Sequence, residues 1–347
     1  MNVLITGGAG YIGSALTETL LDRGHAVRVV DCGLFGLDHV DSRAEVIHGN
    51  ILEFEPAWLD GVAAVVHLAG LSNDPMAAFS PSLNYILNAG GAAIVAQATK
   101  DAGIRRFVFS STCSVYGMDD ARPLDEEHPA TPRFPYAISK LMAERSLACL
   151  TDDQFRPIIL RKGTVVGWSR RMRFDLVANT MVKTAFTEGR IVIHNPDLWR
   201  PLIDVEDACE AYVRALDSDL SVSGIFNISA RNFTLDELGL IVAAEVNSAG
   251  INVIVHTEHR PDVRSYRVDT SKAESVLNFN PKKPMSQTVK ELVAGVLATP
   301  RSDLEHRRFY NIRQMEHLMA EGVLHRSGYT NGHTNGSRHA VAAGVVQ

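Results

Sequence analysis

Tyr136 and Lys140 stand four residues apart in the run Tyr136-Ala137-Ile138-Ser139-Lys140. On a helix that spacing puts both side chains on one face. An ammonium beside a phenol favours the phenolate and lowers the tyrosine pKa from about 10 toward working pH, which turns a weak acid into a usable base. A substrate hydroxyl, or the carbonyl it becomes, must then be held in line with that base. Thr112, in the cluster Ser110-Ser111-Thr112-Cys113-Ser114, has the hydroxyl for it. Singly, such residues belong to any helix surface or strand end; as a set they describe proton transfer at an alcohol carbon.

The elements that must position these residues begin at the first strand, Val3 to Thr6, which runs into Gly7-Gly8-Ala9-Gly10-Tyr11-Ile12-Gly13. Gly7 and Gly10 allow a tight turn close to a pyrophosphate, and Gly13 lets the following helix sit against the strand with its first N–H groups facing the anion. A helical run (Ile12, Ala15, Leu16, Thr19, Leu20) ends at Gly24, and a second strand over 26–30 delivers Asp31, placed to accept from adenosine ribose hydroxyls. No Arg or Lys occupies Cys32 to Leu37, so the site reads as one for NAD and not NADP.

Further apolar runs at 45–48, 63–68, 105–109 and 156–160 read as strands, with helical patterns at 81–102 and 136–150 between them. That rhythm predicts an α/β fold, a doubly wound parallel sheet of the Rossmann type with a smaller interleaved substrate domain. We expect a nucleotide-binding domain over 1–166 to which some later segments return, a mainly substrate-binding part over 167–300, a helical segment over 301–327 and a disordered tail over 328–347. The second part carries helices near 176–187 and 235–249 and strands near 190–194 and 252–256. Its arginines Arg170, Arg171 and Arg173 read as solvated surface, with an anionic group on the substrate as the alternative.

With 347 residues, 46% hydrophobic and 21% charged, the chain can bury a large core. A net charge of −6 with no basic block argues against nucleic acid as partner. Cys32, Cys113, Cys149 and Cys209 lack paired spacing, no metal-ligand pattern stands out, Met1 leads straight into the first strand, and no apolar run would span a membrane. These features predict a cytoplasmic enzyme with free thiols and no metal. The small and apolar residues on helices 82–100 and 136–150 predict a homodimer through a four-helix bundle.

The ordered set Thr6 to Gly13, His67-Leu68-Ala69-Gly70, Ser110 to Gly117, Tyr136 to Lys140, Trp199 to Val205 and Arg260 to Asp269 resembles the extended short-chain dehydrogenases/reductases, specifically the NAD-dependent epimerase/dehydratase group acting on nucleotide sugars. The likeness spans about Met1 to Ala298. It implies hydride removal from a sugar carbon onto tightly held NAD, with Thr112, Tyr136 and Lys140 as the triad. By position it implies that Gly7, Gly10, Tyr11, Ile12, Gly13, Asp31, Asn50, Ile51, Leu68, Ala69, Gly70 and Asn88 serve the cofactor together with Tyr136 and Lys140. Asn50 would accept from adenine through its amide oxygen, and Asn88 would lie on the helix behind the cofactor. Ser72, Thr112, Thr164, Arg200 and Arg260 would serve the substrate, the two arginines clamping its pyrophosphate.

Where members of the group remove water, an acid/base pair follows the triad threonine; here Cys113 and Ser114 stand there, and neither replaces a carboxyl. Epimerisation at C4 of a nucleoside-diphosphate hexose or uronic acid asks only for the triad and NAD, and is the leading expectation. Decarboxylase and 4-ketoreductase readings stay open, 4,6-dehydration less so, as does a non-catalytic nucleotide-binding protein on the same fold. Asn50 stands where Asp is usual, Ser72 where some 4-epimerases have lysine, Lys162 to Thr164 where an asparagine commonly meets substrate, and Asp204 where histidine is frequent.

Overall fold

The computed structural model describes residues 1–118, 121–259, 264–325 and 328–329. Its first half alternates strand and helix: β1 (Asn2–Thr6), α1 (Tyr11–Asp22), β2 (Ala26–Asp31), β3 (Glu45–His48), β4 (Ala64–His67), α2 (Asp74–Phe79), α3 (Pro81–Tyr85), α4 (Ala92–Asp101), β5 (Arg106–Thr112), α5 (Pro135–Leu150) and β6 (Ile158–Lys162). The remainder runs β7 (Thr164–Val166), α6 (Val177–Glu188), β8 (Arg190–His194), β9 (Trp199–Asp204), α7 (Val205–Asp217), β10 (Gly224–Ile228), β11 (Arg231–Thr234), α8 (Leu235–Ser248), β12 (Ile254–Glu258), α9 (Ser271–Leu277), α10 (Met285–Ala298), α11 (Arg301–Leu304), α12 (Asn311–Ala320), β13 (Leu324–His325) and β14 (Gly328–Tyr329).

Seven strands form one parallel sheet in the order β10-β6-β5-β4-β1-β2-β3. The chain starts in the middle at β1, winds outward to β3, then returns to β4 and winds the other way. This leaves a crevice at the strands' carboxyl ends where the direction reverses, the place such sheets hold ligands. Every residue of β4, β5 and β6 is buried, as expected of strands covered on both faces. β10 reaches this sheet after more than fifty intervening residues (224 against 162), so a segment of the second half returns to the sheet of the first. Smaller sheets, β11-β9-β7 and β12-β8, carry the other side of the crevice.

Two elements differ from their sequence patterns. The apolar stripe over 81–102 is not one α-helix: α3 and α4 are joined by a π-helical stretch, Ile86–Gly91, whose wider turn carries Asn88. β9 is concealed in sequence by Pro201, a strand breaker that here pairs opposite Asn232.

α5 is anchored by a buried charge. Glu144 lies one turn beyond Lys140 on the same face and forms a bidentate pair with Arg161 of β6, 2.6 Å at its shortest, while Ser111 Oγ also donates to the carboxylate. Both partners are buried, so removing either would strand a charge in the core. The pair fixes the helix that presents Tyr136 and Lys140. Of the expected tail over 328–347, all but residues 328–329 lies outside the described residues.

Candidate active site

A cavity of about 850 Å³ opens at the carboxyl ends of β1, β4 and β5. Gly7, Gly10, Tyr11, Ile12, Gly13, Asp31, Asn50, Ile51, Leu68, Ala69, Gly70, Ser72, Thr112, Tyr136, Lys140, Thr164 and Arg200 all line it. Arg260 lies outside the described residues. Asn88 does not line the cavity. It is buried behind Gly70, where its Nδ2 donates to Leu71 O, Asn84 Oδ1 and Ser139 Oγ at 2.9–3.0 Å.

The end formed by β1 and β2 is shaped by backbone. A Cβ on Gly13 would meet Gly7 O at 2.2 Å, and one on Gly7, whose φ is +74°, would meet Ala69 N at 2.7 Å. The turn, the first residues of α1 and the end of β4 therefore touch through main chain alone, which only glycine permits. Tyr11 turns its hydroxyl away to Gly167 O (2.7 Å), so its backbone is what it offers the cavity. Asp31 accepts from Ala9 N (3.1 Å) and Gly33 N (2.9 Å); burial raises its pKa against those two bonds. Asn50 differs from its sequence reading. Its Oδ1 already accepts from Leu52 N at 3.1 Å, whereas its buried Nδ2 has no partner among the described residues. The amide thus holds out a donor for a base, where an acceptor was expected.

At the other end, Thr112 Oγ1 accepts from Ser114 N and donates to Ser114 Oγ, both at 3.2 Å, and Ser114 Oγ meets Tyr266 OH at 3.2 Å. Lys140 Nζ donates to Ser110 O at 3.1 Å, and burial lowers its pKa to about 8. The expected lowering of the Tyr136 pKa is reversed: burial, and then the charge of Asp74, hold the phenol above its ordinary range. Sequence reading weighed the lysine and had no means of weighing burial. A second lysine, Lys162, reaches the same serine. Its Nζ donates to Ser110 Oγ (2.6 Å) and Ser111 O (2.9 Å), and burial together with Lys140 lowers its pKa to about 7.

Cys113 plays no part in the cavity. It is fully buried, directs its thiol to Arg161 O at 3.0 Å, and burial raises its pKa to about 12. Only Ser114 of the expected pair faces the site. Asp204 caps α7 by accepting from Glu206 N (2.7 Å) and also stands apart. Ser72 Oγ accepts from Arg173 Nη1 (3.1 Å) and Asn311 Nδ2 (3.0 Å).

The surface reading of the arginine cluster holds for one residue in three. Arg170 is exposed and paired with Glu18, but Arg171 and Arg173 are buried and line the cavity. Asp74, Arg264, Tyr266 and Asn311 also line it and were not singled out in the sequence. Two carboxylates at this end are held by guanidinium groups: Asp74 Oδ2 lies 2.7 Å from Arg264 Nη1, and Asp175 is paired with Arg173 at 2.9 and 2.7 Å. Arg200 donates to Trp199 O (2.9 Å) and to Arg264 O.

A model of the NAD dependent epimerase/dehydratase family matches residues 3–229. The chain belongs to that family. NAD is its cofactor, and the glycine turn with the unpartnered Asn50 amide fits such a dinucleotide. A UDP-glucose 4-epimerase of Lactobacillus helveticus is 29% identical over 309 residues, covering 81% of this chain and 92% of that one. Among solved structures, the UDP-glucose 4-epimerase of Thermotoga maritima has a TM-score of 0.76 at 24% identity, over 85% of this chain and 98% of that one. An NAD-dependent NDP-hexosamine 5,6-dehydratase of tunicamycin biosynthesis has a TM-score of 0.77 at 22% identity, over 87% and 99%. Both structural likenesses concern the fold. The chain is thus a member of an NAD-dependent epimerase/dehydratase family, and no helix among the described residues is long and apolar enough to cross a membrane.

Proposed function

We propose that this family member interconverts the C4 epimers of a nucleoside-diphosphate hexose or its uronic acid through a 4-keto intermediate. The observation that carries the reading is the state of the acids and bases at the Tyr136 end. Asp74 and Asp175 are each bound by an arginine at 2.7 Å, and the position after Thr112 that faces the site is a serine. A carboxylate held by a guanidinium is a weak proton carrier, so removal of water is disfavoured, whereas epimerisation needs the triad alone.

In this reading Thr112 positions the sugar O4, and Tyr136 takes its proton and later returns it. Burial holds the phenol above its ordinary range, with the Arg173 charge opposing it; the positive nicotinamide ring of a bound cofactor, with the Lys140 ammonium, would favour the phenolate that step requires. NAD, held by the glycine turn, Asp31 and Lys140, would supply a reversible hydride acceptor beside the sugar C4. Arg200 and Arg264 suit the diphosphate, as guanidinium forks do. Arg260 keeps the same expected role.

The protein acts as a homodimer, joined through a four-helix bundle whose faces are those of the π-helical stretch, α4 and α5 that expose Ile86, Ile94 and Met142. None of its four cysteines forms a disulfide, which suits the reducing cytoplasm.

Incubation with a panel of UDP-, dTDP-, GDP- and CDP-sugars and uronic acids, read by mass and NMR, tests the reaction. Unchanged mass with inverted C4 is expected. Loss of water, loss of carbon dioxide, or a gain of two hydrogens with NAD(P)H would replace it by dehydratase, decarboxylase or reductase respectively.

A further inference from the structure

Three arginines share the loop between β7 and α6, and two of them are neutralised: Arg170 by Glu18 at the surface, Arg173 by Asp175 within. Arg171 is not. It is 4% exposed, lines the cavity and forms no ion pair among the described residues. Its Nη2 donates to Asn311 Oδ1 at 2.6 Å, its guanidinium carbon lies 3.9 Å from the centroid of the Phe35 ring, and its buried Nε has no partner among the described residues. A buried guanidinium held by one amide and one ring, with no carboxylate in contact, has most of its donors left over, an expensive arrangement unless an anion completes it.

The surroundings say which end of the cavity that anion occupies. Phe35, against which the guanidinium is stacked, follows β2, and beyond its loop neighbours Arg173 and Asp175 the ionisable groups felt at Arg171 are Asp31 and Tyr11, which flank the glycine turn. Burial first, and Arg173 second, lower the Arg171 pKa to about 9, still far enough above neutrality to keep it charged. We infer that Arg171 is the second half of the site for the diphosphate of NAD: the turn and the start of α1 offer backbone N–H groups, and the guanidinium, fixed by Phe35 and Asn311, adds the positive charge that the glycine motif itself lacks. The charge comes from the substrate-side loop and its support from α12, both far from the motif in sequence.

The test uses the full chain stripped of cofactor, with Arg171→Gln and Arg171→Lys, and calorimetric titration of NAD, ADP-ribose, adenosine and UDP. Arg171→Gln should weaken NAD and ADP-ribose alike by about 10- to 100-fold while leaving adenosine and UDP within about twofold, and Arg171→Lys should fall between. Unchanged NAD affinity overturns the inference. Adenosine weakened as much as NAD would make the residue a structural support, and a loss confined to UDP would put it on the substrate's diphosphate; either result also overturns it. Thermal unfolding gives a second readout with opposite signs. Removing a buried charge with no carboxylate in contact should raise the midpoint of the NAD-free protein and shrink the upward shift that added NAD produces. A variant that unfolds earlier in both states counts against the inference. None of these measurements involves turnover or a hexose or uronic acid substrate, so they stand apart from the proposed reaction.

Discussion

The two ends of the cavity are built by different means. Around the glycine turn the wall is main chain: Gly7, Gly13 and Ala69 approach so closely that a methyl group would collide with backbone. Around Tyr136 the wall is side chain, with two buried lysines on Ser110, carboxylates held by arginines, and hydroxyls linked from Thr112 through Ser114 to Tyr266. The first end tolerates no added volume. The second is tuned by charge and burial, so its failures should be chemical before they are steric.

Tyr136→Phe should break the second end and spare the first. Turnover on the true substrate should fall about 10²–10⁴-fold, with NAD affinity within a few-fold of the parent; near-parental turnover would remove the phenol from the mechanism. Gly13→Ala does the reverse. The new Cβ would lie 2.2 Å from Gly7 O and 2.7 Å from Gly8 Cα, neither able to yield as a side chain does. Overpacking of about 1–3 kcal/mol should weaken NAD binding about 10- to 100-fold, outweighing the helix-propensity gain of about 1 kcal/mol. Calorimetry showing parental NAD affinity would separate the close approach from cofactor binding.

The smallest effect sharpens the electrostatic half of the contrast. In the folded protein Lys162 titrates at about 7 against an ordinary value of 10.5. Below about pH 7 both folded and unfolded chains carry its proton, and the full cost of the buried charge is present. As pH rises from there toward 10.5 the unfolded chain holds more protons, so stability climbs. Lys140, at about 8, adds a rise that starts later. Lys162→Met should remove about 2–3 kcal/mol of the gain between pH 6.5 and pH 9, read as urea midpoints at the two values. Equal gains in parent and variant would place the titration elsewhere.

Legibility in the sequence follows the same division. The turn, Asp31 and the alternation of strand and helix are written in contiguous segments, and the Tyr136–Lys140 spacing is helical geometry, so these could be read without coordinates. Arg173 meets Ser72 across 101 residues and Asn311 meets Ser72 across 239, and no local pattern encodes such meetings. Arg171 and Arg173 therefore read as surface, and nothing in the sequence singles out Asp74. The Tyr136 pKa was misjudged for a related reason: the neighbour was visible, but the burial came from the assembled fold.

Asn311 and Met315 of α12 give the cavity a timetable as well as a wall. Asn311 ties Arg171 to Ser72, and Met315 is fully buried against the core that carries β4 and α4. At roughly 5–20 residues per second of synthesis, the glycine turn is made on the order of 15–60 seconds before Asn311. A nascent chain halted short of α12 holds the whole parallel sheet and the turn, yet its dinucleotide site stands open along one side. Closing that site is an act of the completed polypeptide.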